Sequence, residues 1–394
     1  MRFRRFGRTG LSIPVFSCGG MRYQHSWQDL ADSEIPADNQ KNLEATIHRS
    51  LEVGINHIET ARGYGTSEIQ LGKVLPSFSR DKIIVQTKVG VTATGAEFRT
   101  QFNESMKKLQ LDHVDLLSVH GINNEELLNQ TLAKGGCLEE ARKIQKEGRA
   151  RFIGFSTHGT CSEITRAIDT GEFDYVNLHW YFVNHLNWPA IEAASRQDMG
   201  VFIISPNDKG GKLYEPPQRL VELCAPLTPM QFNDLYCLSR PEVHTLSLGA
   251  AKPSDFDEHI KALDHYENAE KVVKPIEERL RSRLREVWGE DWMNRWPEGL
   301  PDYAQTPSEV NLPEILRLYT YAKGLDLVAW GQMRYNLLGQ AGHWFPGQHI
   351  GKLGSMTELD PALARSPFKD KIPMLLQEAH ELLLDKPVER ISKS

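Results

Sequence analysis

The pattern that decides the fold is clearest in residues 56–120, which read NHIETARGYGTSEIQLGKVLPSFSRDKIIVQTKVGVTATGAEFRTQFNESMKKLQLDHVDLLSVH. Three short apolar runs, at 56–59, 82–88 and 114–120, alternate with two longer segments of helical periodicity, at 66–75 and 96–109. Continuous apolar runs are typical of parallel strands that are covered on both faces. The segment is therefore predicted to form consecutive strand–helix units.

The same alternation continues on both sides, over about residues 14–265. Further strands are predicted at 14–18, 152–156, 175–179, 201–205 and 244–248, and further helices at 42–53, 138–147, 162–170, 189–199, 230–239 and 253–263. Eight regularly spaced strands favour an α/β fold that closes into a (β/α)8 TIM barrel. An open doubly wound sheet is the alternative.

Both ends of the chain differ from this repeat. Residues 2–14, RFRRFGRTGLSIP, predict an N-terminal β-hairpin that could plug the N-terminal mouth of a barrel, with a frayed tail as the alternative. After residue 267 the sequence becomes charged and helical, then rich in proline and turn residues, then helical again from Asn311, a suitable N-cap. We therefore expect a barrel domain over 1–267 and a mainly helical C-terminal module over 268–394.

Composition excludes several classes of protein. The 394 residues carry a net charge of −6, without a basic stripe for nucleic acid. The five cysteines are scattered without a CxxC pair, which argues against disulfides and against a cysteine-rich metal site. No apolar run reaches the roughly 18 residues of a membrane span, and the N-terminus lacks a signal peptide's apolar core. A cytoplasmic protein without a metal or a membrane contact is the expectation.

Four polar side chains are predicted to meet where the strands of the barrel end, at the face that carries chemistry in such barrels. Glu59 and Tyr64 follow the second strand, Lys88 ends the third and His120 ends the fourth. An ammonium beside a phenol favours the phenolate, so Lys88 could tune Tyr64 as a proton donor while Glu59 orients Lys88. His120 could bind a carbonyl oxygen. Each residue taken alone could equally be structural, so the interpretation depends on their joint position.

The stretch IETARGYGTSE (58–68) resembles the signature of the aldo/keto reductase superfamily, and IIVQTK, VDLLSVH and RFIGFSTHG extend the resemblance over about residues 4–265. The resemblance implies a (β/α)8 barrel, NADP(H) as cofactor and the reversible reduction of aldehydes or ketones. It implies that Tyr64, Lys88, Glu59 and His120 are catalytic, although Glu59 stands where most members have Asp. The absence of a G-x-G-x-x-G motif is consistent, because no Rossmann site is needed.

The resemblance also implies cofactor-binding residues. Ser156 and Asn177 would hold the nicotinamide, with Trp180 or Tyr181 against its ring. The pyrophosphate would meet Ser205, Pro206 and the glycine-rich loop after them, and Lys252 would favour NADP over NAD as a phosphate partner. The full set of cofactor-binding candidates is Gly20, Met21, Arg22, Ser156, Asn177, Trp180, Ser205, Pro206, Lys209, Gly210, Gly249, Lys252, Ser254, Glu258 and His259.

The C-terminal module resembles the ferredoxin-like segment that one branch of the superfamily carries, since SEVNLPEILRLY (308–319) is similar to the part after its cluster cysteines. Here the preceding residues, PEGLPDYAQTP (297–307), contain no cysteine. The resemblance therefore predicts no iron–sulfur cluster, and the module would serve packing or a protein partner. Two alternatives to a carbonyl reductase remain: a non-catalytic nucleotide-binding regulatory or scaffold protein, and a barrel isomerase or lyase.

Overall fold

The first residues form a hairpin and eight further strands close into a barrel. The structure is a computed structural model that describes residues 1–385. Strands β1 (Phe3–Arg5) and β2 (Ser12–Pro14) pair antiparallel in the hairpin. The barrel consists of β3 (Phe16–Gly19), β4 (His57–Glu59), β5 (Ile84–Gly90), β6 (Val114–His120), β7 (Ala150–Ser156), β8 (Tyr175–Leu178), β9 (Gly200–Ile203) and β10 (Thr245–Leu248).

The barrel strands are parallel and follow one another around the barrel in sequence order, with β10 paired to β3 at the closure. The (β/α)8 barrel is thus confirmed, and the open sheet is wrong. Parallel pairing brings the carboxyl ends of all strands to one rim. At this rim Gly19 is paired with Glu59. Ser156 is paired with His120 on one side and with Asn177 on the other.

The N-terminal hairpin packs against the opposite end of the barrel. Phe6 is fully buried in one apolar cluster with Tyr175 and Phe202, and its ring centroid lies 5.6 Å from that of Tyr175. Gly7 has φ +51° and approaches the backbone of Gly200 so closely that a Cβ would clash. A hairpin that closes the N-terminal mouth is therefore confirmed, and a frayed tail is wrong.

Helices follow the barrel strands, and their ends differ by a few residues from the predicted ones. The first begins at Ala37, directly after Pro36, and not at residue 42. One helix that was not predicted is capped by Asn124, whose Oδ1 accepts a hydrogen bond of 2.9 Å from the Leu127 amide. The helices from β3 to the end of the barrel are Ala37–Glu52, Ser67–Leu71, Gly95–Leu109, Glu125–Leu132, Cys137–Lys146, Cys161–Asp169, Trp188–Arg196, Gln218–Cys224, Pro229–Leu238 and Asp255–Ala262.

The chain forms two compact units. The first contains residues 1–180, 185–206 and 234–267, which include the hairpin and every barrel strand. The second contains the chain from residue 268 together with two earlier segments, 181–184 and 207–233. The second unit thus includes two segments, 181–184 and 207–233, that lie within the sequence range of the barrel strands.

The second unit is helical and has its own aromatic core. Trp288, Trp292 and Trp296 stack in succession, and Trp288 Nε1 donates a hydrogen bond of 2.9 Å to the Thr320 carbonyl. Asn311 caps a helix as predicted, since its side chain accepts a bond from the Glu314 amide. The described helices after residue 267 are Ala269–Trp288, Glu290–Arg295, Leu312–Leu325, Val328–Tyr335, Asp360–Leu363 and Ile372–Leu383.

Candidate active site

Lys88 is the centre of the polar cluster at the carboxyl rim. It lies on β5 and is only 1% exposed. Its amine forms an ion pair with Glu59 Oε2, donates to the Thr60 carbonyl at 2.9 Å and lies 3.4 Å from the Tyr64 hydroxyl oxygen. Burial by itself lowers the pKa of Lys88, but the charges of Glu59 and Tyr64 outweigh it, and the pKa is raised. The amine therefore stays protonated at neutral pH.

Tyr64 lies between Lys88 and His120. The amine nitrogen of Lys88 is 4.8 Å from the centroid of the Tyr64 ring. His120, at the end of β6, presents its ring edge-on at a centroid distance of 5.7 Å, and Trp27 makes a similar contact at 6.1 Å. The four residues of the predicted catalytic set are thus neighbours, although 61 positions separate Glu59 from His120 (120 − 59).

The local sequence around Tyr64 explains why this turn is rigid. Gly65 has φ +52° and approaches the Ser26 carbonyl too closely for a side chain. Glu68 is buried, and its Oε1 accepts a hydrogen bond of 2.6 Å from Thr87 Oγ1 on β5. Burial raises the pKa of Glu68. The turn that carries Tyr64 is therefore anchored to the strand that carries Lys88.

The nicotinamide-binding candidates Ser156 and Asn177 are buried at the ends of adjacent strands. Ser156 Oγ accepts a hydrogen bond of 3.1 Å from the Gly121 amide, which follows His120. Asn177 Oδ1 accepts one of 3.3 Å from Gln86, whereas its buried Nδ2 has no hydrogen-bond partner within residues 1–385. The structure therefore brings both candidates to the rim that carries His120, and Asn177 retains a donor.

Trp180 occupies a different environment. Its ring stacks on Tyr236 at a centroid distance of 5.0 Å and also contacts Trp188 at 4.9 Å. It is 3% exposed. One face of the indole is therefore committed to the packing of the barrel wall, which weakens its assignment as the aromatic that covers the cofactor ring.

The candidates that follow β3 and β10 lie close together. Arg22 Nη1 donates a hydrogen bond of 3.1 Å to the Gly249 carbonyl. A Cβ at Gly20 would lie 2.6 Å from the Glu59 carbonyl oxygen, so glycine lets this loop approach β4. Met21 beside them is half-buried. These residues form one part of the rim.

The candidates after β10 divide between surface and core. Lys252 and Ser254 are exposed, and Glu258 is half-buried. His259, by contrast, is 1% exposed, and its Nδ1 lies 2.5 Å from Asp234 Oδ2. Burial raises the pKa of Asp234, which the contact with His259 opposes. The imidazole is therefore held inside the barrel wall by this pair.

The loop after β9 belongs to both compact units. Ser205, with φ +51°, and Pro206 lie in the first unit, whereas Lys209 and Gly210 lie in the second. The Lys209 carbonyl accepts a hydrogen bond of 3.0 Å from Trp330 Nε1. These four pyrophosphate candidates are thus divided between the two units.

Sequence reasoning missed Ser247 on β10, whose hydroxyl donates a hydrogen bond of 2.8 Å to Glu59 Oε1. The only signal was a serine near the carboxyl end of that strand, which reads TLSL. Within residues 1–385, no group of three or more His, Cys, Asp or Glu side chains is arranged to hold a metal ion. No helix in the same range has the length and apolar character to cross a membrane.

Comparisons with known proteins agree with this geometry. A family model described as the aldo/keto reductase family matches residues 17–210. L-galactose dehydrogenase of Arabidopsis thaliana is 29% identical over 168 residues, which cover 40% of this chain and 48% of that protein. The chain thus spans about half the length of this relative. A Schizosaccharomyces pombe protein named as a voltage-gated potassium channel subunit beta is 22% identical over 340 residues, covering 72% of this chain and 95% of that protein.

A solved structure supports the fold. The holo form of an aldo-keto reductase from Bacillus halodurans superposes with a TM-score of 0.56 at 19% identity, covering 69% of this chain and 96% of that one. The likeness concerns the barrel architecture, since the identity is low. Residues 17–210 are thus similar to the aldo/keto reductase family by the family match, and the solved structure adds the barrel fold alone.

Proposed function

We propose that the protein catalyses the reversible NADP(H)-dependent reduction of an aldehyde or ketone to an alcohol, with Tyr64 as the general acid. The observation that carries the proposal is the buried amine of Lys88, which contacts both the Glu59 carboxylate and the Tyr64 hydroxyl. A protonated amine at this position stabilises the phenolate that remains after proton transfer. Hydrogen-bond donors aimed at a carbonyl oxygen stabilise the negative charge that develops on it.

Each of the four residues has its own role in the proposed proton transfer. Tyr64 delivers the proton to the substrate oxygen, and His120 beside it donates a hydrogen bond that orients the same oxygen. Lys88 keeps the phenol acidic, and Glu59 keeps Lys88 charged and fixed. Because Lys88 is enclosed by protein, its charge acts on Tyr64 with little screening by water.

The residues present fit a nicotinamide cofactor. The buried Nδ2 of Asn177 has no hydrogen-bond partner among residues 1–385, and a carboxamide oxygen would satisfy it. Ser156 and Asn177 would hold the nicotinamide, and Lys252 would bind the 2′-phosphate, which favours NADP over NAD. When bound, this cofactor supplies the hydride that no side chain can provide.

Incubation of the purified protein with NADPH and a panel of aldehydes and ketones tests the proposal. Carbonyl-dependent loss of NADPH absorbance with alcohol formation is the expected result. Binding of NADPH without turnover of any carbonyl would contradict it.

A second function is a nucleotide-binding regulatory subunit without turnover. The match to the subunit beta protein of Schizosaccharomyces pombe, over 72% of this chain, favours it. In that case NADPH would bind with the same affinity in the wild type and in Tyr64→Phe, and neither protein would oxidise it.

A further inference from the structure

The second oxygen of Glu59 has a contact that the four catalytic candidates do not explain. Oε2 pairs with Lys88, while Oε1 accepts the hydrogen bond of 2.8 Å from Ser247. Glu59 is 3% exposed and Ser247 is 5% exposed. A buried carboxylate stays charged only where its oxygens are hydrogen-bonded, because water does not solvate it. Ser247 therefore supplies the partner for the oxygen that Lys88 does not hold.

This contact crosses a strand of the barrel. Glu59 ends β4 and Ser247 lies in β10, and β3 lies between these two strands. The residue of β3 at the crossing is Gly19, which is paired with Glu59. A Cβ at Gly19 would lie 2.6 Å from Ser247 Oγ and 3.2 Å from Glu59 Oε1. Only glycine leaves the gap through which the hydroxyl reaches the carboxylate.

The length of the Glu59 side chain is part of the same arrangement. Aspartate would be shorter by one carbon–carbon bond, about 1.5 Å. With the strands in place, such a carboxylate would not reach both the amine of Lys88 and the hydroxyl of Ser247. Gly19, Glu59 and Ser247 are therefore matched in size and polarity.

We propose that Ser247 is a positioning residue of the reductase reaction, which acts across Gly19 to fix the Glu59 carboxylate and, through it, the amine of Lys88 beside Tyr64. The inference rests on the proposed function. Ser247 does not act on the substrate, so its removal should lower kcat and leave the binding of both the carbonyl and NADPH intact.

Ser247→Ala tests the proposal. We expect kcat to fall about tenfold, which corresponds to one hydrogen bond to a charged group. The KM for the carbonyl and the affinity for NADPH, measured by fluorescence quenching, should not change. Ser247→Thr, which keeps the hydroxyl, should restore most of the rate.

Thr245→Val is the matched control. Thr245 lies in the same strand, is fully buried, and its hydroxyl lies 2.7 Å from Ser17 Oγ. The substitution removes a buried hydroxyl from β10 without touching Glu59, so kcat should match that of the wild type. An equal loss in both variants would mean that Ser247 only supports the strand, and would overturn the proposal.

A double-mutant cycle with Glu59→Asp completes the test. In the Glu59→Asp background, Ser247→Ala should change kcat by less than about twofold, because the shorter carboxylate no longer reaches the hydroxyl. The same tenfold loss in both backgrounds would overturn the coupling. An active wild type with an unaffected Ser247→Ala variant would refute this inference alone, whereas a wild type without turnover would refute the proposed function with it.

Discussion

The amine nitrogen of Lys88 lies 3.4 Å from the hydroxyl oxygen of Tyr64. The turn that carries Tyr64 is joined to β5, which carries Lys88, by the hydrogen bond from Thr87 to the buried Glu68. Lys88 extends from β5, while Tyr64 follows β4, so the closeness depends on the parallel pairing of these two strands. An ammonium within hydrogen-bond reach of a phenol is the arrangement that a proton donor needs.

Tyr64→Phe should remove turnover and leave cofactor binding intact. The phenyl ring retains the edge contacts with His120 and Trp27, so the fold of the turn should survive. Loss of a general acid lowers rates by roughly 10²- to 10⁴-fold. Steady-state kinetics with NADPH should show this loss in kcat, and fluorescence titration should give an unchanged affinity. A variant with more than half of the wild-type kcat would exclude Tyr64 as the acid.

Lys88→Met should destabilise the protein as well as inactivate it. The substitution leaves the Glu59 carboxylate buried without its cation, which costs roughly 3–5 kcal/mol of unfolding free energy. The double variant Lys88→Met/Glu59→Gln removes the uncompensated charge and should regain part of that free energy in urea denaturation. A single variant as stable as the wild type would show that the pair is not buried in solution.

Lys252→Ala should separate the two nicotinamide cofactors. Lys252 is exposed directly after β10, so its removal should not alter the fold. Loss of a charge-assisted hydrogen bond to a 2′-phosphate should weaken NADPH binding by about tenfold or more. The affinity for NADH, which lacks this phosphate, should stay the same. An equal effect on both cofactors would place Lys252 away from the 2′-phosphate.

The stability of the barrel should fall below pH 6.5 because of His57. Burial, with a contribution from the charge of Lys88, lowers the pKa of this residue to about 3. The unfolded chain binds a proton at about pH 6.5 that the folded protein excludes, so the stabilisation is complete above that pH and is lost as the pH falls towards 3. The loss between pH 6.5 and 5 should be about 2 kcal/mol from this group.

Urea denaturation at several pH values measures this effect. Ser17 Oγ lies 2.6 Å from His57 Nδ1, and His57→Asn keeps a nitrogen near it. This variant should flatten the dependence of the unfolding free energy on pH. His265→Asn, at an exposed position, should leave this pH dependence as it is in the wild type. A wild-type stability that is constant from pH 6.5 to 5 would contradict the prediction.

The periodicity of the sequence predicted the fold because each strand and helix carries its own pattern. The run IIVQTKVG has no polar alternation, and a strand with both faces covered is found there. Periodicity predicted helices less accurately where a local turn or cap decides where a helix begins or ends. The helix predicted over 66–75 ends at Leu71, and the segment 125–132 was recognisable only by its Asn124 cap. The excursions at 181–184 and 207–233 were not foreseen, because nothing local marks a segment that packs with a distant one.

The sequence by itself determined that one rim would carry Glu59, Tyr64, Lys88 and His120, since the carboxyl ends of parallel strands always lie at the same edge of a sheet. Tertiary structure alone decided that Ser247 reaches Glu59 across Gly19, that His259 faces Asp234 inside the barrel wall, and that Trp180 packs on Tyr236. Such contacts join strands and helices that are far apart in the chain. They depend on the tilt and stagger with which a barrel closes, which no short stretch of sequence encodes.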